Sequence, residues 1–113
     1  MHELSLAEDM LTMIQQRAET QQFKTVSKVC LEIGSLSHVE ADDMIFCFDA
    51  VMAGTLVEGA QLEIIHTQAQ GQCRQCRHIS EVEHLYDPCP KCGEFGVDIV
   101  TGDHVRIKSL AVH

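Results

Sequence analysis

The chain has 113 residues and sets seventeen acidic side chains against eight basic ones, a formal net charge of −9. That balance disfavours a nucleic-acid partner, because affinity for a phosphate backbone rests mainly on Lys and Arg displacing counterions. The length allows one compact unit, or one domain with a small insert, and therefore a core of modest size.

The first residues, Met1-His2-Glu3-Leu4-Ser5, lack the basic start and continuous apolar run of a secretory signal. No stretch approaches the roughly 20 apolar residues of a membrane span, so a cytoplasmic protein with no membrane span is expected. From Leu4 to about Gln22, Leu4, Leu11, Ile14 and Ala18 recur at helical spacing, with Met10 and Met13 widening the stripe. This predicts a helix with one buried face. Between Lys24 and Ile33 the pattern turns to alternation, with Val29, Leu31 and Ile33 set against Lys28, Cys30 and Glu32, which predicts a strand closed by Gly34.

Ser37-His38-Val39-Glu40 has the form of a capping box, in which hydroxyl and carboxylate each satisfy a free backbone donor at a helix start. The helix expected there runs through Met44, Ile45, Phe46, Cys47, Phe48, Ala50, Val51 and Met52 to a stop at Gly54. It is apolar nearly all round and is expected to be well buried. A further strand follows Gly59, with Leu62, Ile64 and His66 on one face and Glu63 and Ile65 on the other.

From about Gln70 the composition shifts. Two close pairs, Cys73-Arg74-Gln75-Cys76 and Cys89-Pro90-Lys91-Cys92, are separated by twelve residues. Each pair puts two thiolates on one tight turn, and two such turns supply the tetrahedral sulfur set that structural Zn(II) prefers. In a reducing compartment paired cysteines serve as metal ligands rather than disulfides. The segment has few large apolar residues and is expected to depend on its metal, which in small modules is typically worth roughly 10–16 kcal/mol of apparent binding energy. After Thr101-Gly102-Asp103 a last strand runs to Val112, with Val105 and Ile107 on one face and Arg106 and Lys108 on the other.

These elements predict an α+β fold: a small three-stranded sheet with two helices, interrupted before its last strand by an inserted zinc-ribbon-like module with two Cys-x-x-Cys knuckles. Residues 1–69 and 101–113 form the α+β domain and residues 70–100 the zinc domain. The exposed edges of such a sheet could pair two chains as a homodimer.

Methionine before a large second residue is generally retained, which leaves His at position two. The α-amine of Met1, the backbone nitrogen of His2 and its imidazole then form fused five- and six-membered chelate rings. Deprotonated amide ligation suits Ni(II) and Cu(II), which accept tetragonal nitrogen fields, better than zinc. Glu3 could add an oxygen, or sit in the first helical turn where the macrodipole favours a negative charge. Taken alone, a His at position two is weak evidence for metal, and the same residues are read first as an exposed terminal histidine.

Met-His-Glu at the start, Leu31-Glu32-Ile33-Gly34 followed by Ser37-His38-Val39-Glu40, and two cysteine pairs before a short terminal strand together resemble the HypA/HybF family of hydrogenase nickel-incorporation proteins over essentially the whole chain. The resemblance implies a nickel metallochaperone for [NiFe]-hydrogenase maturation. It places transient Ni(II) on Met1 and His2 with Glu3 as the adjacent motif residue, and structural Zn(II) on Cys73, Cys76, Cys89 and Cys92. Glu40, an Asp in some relatives, is a candidate additional nickel ligand, although its capping role is the stronger reading. Some relatives carry a histidine beyond each cysteine pair; here His78 follows the first, but Gly93-Glu94 follows the second.

No Gly-x-x-x-x-Gly-Lys-Ser/Thr phosphate loop is present, so the chain is not expected to be an enzyme or to use nucleotide itself. The resemblance supplies the partners, a HypB-type GTPase accessory protein and the hydrogenase large-subunit precursor. Two other readings fit the cysteines: a zinc-ribbon interaction adaptor without transferable metal, and a dithiol redox enzyme.

Overall fold

The computed structural model describes residues 2–113. In chain order the elements are α1 (Glu3–Gln21), β1 (Val26–Gly34), α2 (Ala41–Met52), β2 (Gln61–Thr67), β3 (Gln70–Cys73), β4 (Ile79–Glu81), β5 (Val97–Thr101) and β6 (Val105–Val112). Two three-stranded sheets form, in the orders β2-β1-β6 and β4-β3-β5. The chain divides into two compact units: Met1–Leu31 with Val39–Ile65 and Arg106–His113, and Glu32–His38 with His66–Val105. The unit holding the cysteines thus takes in residues 32–38, which no local pattern in the chain groups with them.

In the first unit α1 and α2 pack on each other. The buried stripe of α1 is Glu3, Ala7, Met10 and Ile14; Met10 and Ile14 belong to the expected face, whereas Leu4, Leu11, Met13 and Ala18 are not among the buried residues. Leu4 and Met13 are each 43% exposed. The observed stripe follows i, i+4, i+7, i+11 spacing, with a carboxylate at its first position. Ile14, Val29, Leu31, Met44, Phe48, Met52 and Val57 are almost wholly buried. Large apolar side chains of this kind stabilise a fold by roughly 1.5–3 kcal/mol each when removed from water. β1 and β6 run antiparallel, and beyond their ends Thr25 and His113 exchange both backbone hydrogen bonds, at 3.1 and 2.9 Å.

The capping box does not form. Glu40 occupies the N-cap of α2 without a side-chain cap bond, and its carbonyl accepts the Met44 N–H at 2.9 Å. The Ser37 hydroxyl instead donates to the Gly34 carbonyl at 2.7 Å, closing the turn that ends β1. Positive φ at His38 (60°) directs the chain away from a continuous Ser37-to-Glu40 helical start. Nor is α2 buried all round: Met44, Cys47, Phe48 and Met52 face inward, while Phe46 is 76% exposed.

The second unit has more architecture than its composition suggests. β3 pairs antiparallel with β4, from Gln70 opposite Glu81 to Gln72 opposite Ile79. On its other side it pairs with β5, with a register irregularity between Gln70 and Gly71. Leu36, Ala69 and Val82 form a small buried cluster with Val97 and Ile99 against it. A Cβ on Gly34 would run into the backbone of Gly102, whose carbonyl accepts the Leu36 N–H at 2.9 Å, so this approach requires glycine at position 34.

Candidate metal centre

The two cysteine pairs sit on turns built alike. At the first, the Cys73 N–H donates to the His78 carbonyl (3.0 Å) and the Arg77 N–H donates back to the Cys73 carbonyl (2.9 Å). At the second, the Cys89 N–H donates to the Glu94 carbonyl (3.0 Å) and the Gly93 N–H to the Cys89 carbonyl (2.8 Å). Each turn closes through a left-handed residue at the same place, Arg77 at φ 63° and Gly93 at φ 75°. Gly93 is legible in the sequence as that residue. Arg77 is not, since nothing about an arginine announces positive φ.

These turns bring four sulfurs together, all lying within 4.8 Å of one another. Cys73 Sγ lies 3.6 Å from Cys92 Sγ, and Cys76 Sγ lies 3.6 Å from Cys89 Sγ. A disulfide would need about 2.05 Å, whereas sulfurs at the corners of a tetrahedron around zinc, with Zn–S about 2.3 Å, stand about 3.8 Å apart. The spacing is that of ligands around an ion. Cys73 and Cys89 are buried, and Cys76 and Cys92 are exposed on the outer side.

The electrostatics point the same way. The backbone N–H groups of Cys76 and then Gln75 lower the Cys73 thiol to about 6, against burial. Those of Cys92 and Lys91 lower Cys89 in the same manner. For Cys92 the Glu94 N–H favours the thiolate, but burial and the sulfurs of Cys73, Cys76 and Cys89 outweigh it and push the thiol up to about 12. Four thiolates at one point repel, and a bound dication removes that obstacle by deprotonating its ligands outright. The four-cysteine set therefore fits a structural metal.

The expected nickel residues lie elsewhere. Met1 is outside the described residues. His2 stands at the N-cap of α1, with its imidazole 53% exposed and Nε2 3.9 Å from the Glu3 carboxylate. Glu3 is buried, at 4% exposure, and its Oε2 accepts the backbone N–H of Glu40 at 3.4 Å. Its own backbone N–H and that of Glu40 hold its carboxyl below the ordinary value against the cost of burial, with a smaller contribution from His2. Glu3 and Glu40 are thus joined through the Glu40 backbone, while the Glu40 side chain is exposed. Among the described residues only the four cysteines gather three or more metal-ligating side chains at one point. His78 is half-buried, ahead of β4.

A family model for hydrogenase/urease nickel incorporation, the metallochaperone HypA, matches residues 1–112. The chain belongs to the HypA family. It is 45% identical over 112 residues to the hydrogenase maturation factor HypA of Geotalea daltonii, with 99% of each chain covered. It is 39% identical over 112 residues to the hydrogenase maturation factor HypA 2 of Bradyrhizobium diazoefficiens, again covering 99% of each. The solution structure of the Ni metallochaperone HypA from Helicobacter pylori superposes with a TM-score of 0.78 at 26% identity, covering 99% of this chain and 97% of that one. Two helices, small sheets and paired cysteine knuckles are therefore the HypA architecture. As a member of that family the chain is a metallochaperone of nickel incorporation, and among the described residues no helix is long and apolar enough to cross a membrane.

Proposed function

We infer that this HypA-family chain takes up Ni(II) at its N-terminus and passes it to the [NiFe]-hydrogenase large-subunit precursor, in the cytoplasm, with a HypB-type GTPase supplying any nucleotide-driven step. Family membership carries the reading. In it, the α-amine of Met1 and the amide and imidazole of His2 hold the cargo. Glu3 stands at the site's inner side, and Glu40 is the candidate for an additional oxygen donor. The half-exposed His2 ring suits a site that must give its metal away by ligand exchange. Because imidazole and amine must shed protons to bind, nickel affinity falls with acid.

The four cysteines hold Zn(II) as scaffolding, residues 70–100 forming the zinc part and residues 1–69 with 101–113 the nickel part. The chain itself makes and breaks no covalent bond. A nickel titration by calorimetry of untagged protein beside His2→Ala and an N-terminally blocked form tests this. Both altered forms are expected to bind at least about tenfold more weakly, since even outer-shell changes cost about 10–100-fold at metal sites. Unchanged affinity in both would leave an interaction adaptor without transferable metal, and elemental analysis short of about one zinc per chain would reopen the dithiol reading.

A further inference from the structure

Phe46 is the most exposed large apolar side chain of α2. It lies in the second turn of the helix and is 76% exposed, where the core positions are already filled by Met44, Cys47, Phe48 and Met52. Its neighbours on the helix surface are the residues three and four positions away. These are Asp42, Asp43 and Asp49, with the small Ala50 leaving the fourth side open, and all are exposed. Asp42 and Asp43 suit the positive end of the helix dipole, but Asp49 lies towards the other end, where no basic residue stands in the last turn. There a carboxylate works against the dipole.

Packing does not account for the place of Phe46, nor helix stability for that of Asp49. Single exposed apolar side chains are ordinary, whereas an aromatic ring standing inside three carboxylates has the chemistry of an interface: an apolar anchor with a charged rim. The charge is one-sided beyond the helix as well. No Lys or Arg occurs between Lys28 and Arg74, an interval holding seven acidic residues.

We propose that the outward face of α2 docks a protein that offers an apolar pocket for Phe46, rimmed by lysine or arginine side chains that pair with Asp42, Asp43 and Asp49. A second copy of the chain is a poor occupant, because a two-fold contact sets the same patch against itself and would place carboxylate ring on carboxylate ring. An anionic membrane surface is repelled for the same reason.

The choice of probe rests on the partner reading above. Binding of a HypB-type GTPase to the full chain, with its metal as purified, is measured by calorimetry at two salt concentrations, and association rates are followed by stopped flow. The variants are Phe46→Ala and the triple change Asp42→Asn, Asp43→Asn, Asp49→Asn. Phe46→Ala is expected to weaken binding at least about tenfold, as removal of an interface anchor does. The triple variant is expected to slow association and flatten its salt dependence. In Phe46→Ala metal content, melting and nickel affinity should not move, since Phe46 lies outside the core and Ala favours helix. The triple variant should keep its metal content and nickel affinity and melt slightly lower, because it loses two carboxylates from the first turn of α2. If wild type and both variants bind alike, the docking face is wrong and the partner reading stands. Failure of the wild type to bind overturns both. A wild type that dimerises while Phe46→Ala stays monomeric would assign the face to a second copy and overturn the cationic partner.

Discussion

At the cysteine knuckles four donor atoms already stand at ligand spacing, each turn locked by two backbone hydrogen bonds at its first cysteine. At the start of α1 one imidazole is half in solvent, 53% exposed, and the neighbouring carboxylate is occupied by a backbone N–H. The first arrangement needs little reorganisation of its ligands when metal arrives, and two of its sulfurs are shut away from exchange. The second, on the proposed reading, leaves organisation to the metal and to whatever else approaches it. Pre-organised ligands hold an ion and loosely organised ones release it, which is the physical support for the proposed division between a scaffold metal and a cargo metal.

The most severe challenge to that contrast is to remove one sulfur. Cys89→Ala leaves three ligands around a point that four thiols are folded to meet. Most of the roughly 10–16 kcal/mol typical of such a site should go with it. The expected outcome is loss of zinc by elemental analysis, together with collapse of hydrogen-exchange protection in β3, β4 and β5. The amides of α1 and α2 should stay protected. Full zinc occupancy with unaltered exchange would remove the cysteine assignment.

The converse variant tests the same independence from the other side. Phe48 is 1% exposed, and truncating a buried Phe costs about 3–5 kcal/mol. Phe48→Ala should lower the melting temperature of the helical unit and expose its amides, while zinc stays at about one per chain. Zinc lost in parallel with the helices would mean that the two units unfold as one.

What can be read from residues alone follows the same division. The cysteine site is legible because its chemistry is local: two pairs at fixed spacing on turns that need few distant partners. The helices and the first and last strands are legible because periodicity survives averaging. What escapes is set by single distant partners. Glu3 counts as polar in the α1 pattern, yet it is buried, because its oxygen accepts from a backbone donor 37 residues away. Ser37 has the spacing of a capping residue but closes the turn after β1. Phe46 groups with the core by hydrophobicity alone, which does not say which side of a helix has neighbours. The strands β3 and β4 are short and mostly polar, β5 offers only Val97 and Ile99 as an alternating pair, and all three are held by pairing and by the Leu36, Ala69 and Val82 cluster.

The smallest effect expected, and the one that bears most finely on scaffold against cargo, concerns Glu3. Its carboxylate could serve nickel or serve the fold, and Glu3→Gln separates the two, because Gln keeps an acceptor oxygen for the Glu40 N–H but loses the charge. Backbone N–H groups hold the Glu3 carboxyl below the ordinary value of 4.5 in the folded chain. Between that lowered value and 4.5 the unfolded chain carries a proton that the folded one does not, so stability rises with pH there. The contribution is complete above 4.5 and is lost as pH falls through the lowered value. Wild type should therefore melt slightly higher than Glu3→Gln at neutral pH, with the gap closing in acid, and the Glu40 amide should exchange faster in the variant. A gap that persists well below pH 4.5 would refute the charged tie between the two helix starts. Weakened nickel binding with unchanged exchange at Glu40 would move Glu3 to the cargo side of the comparison, leaving His2 with a carboxylate partner rather than a structural neighbour.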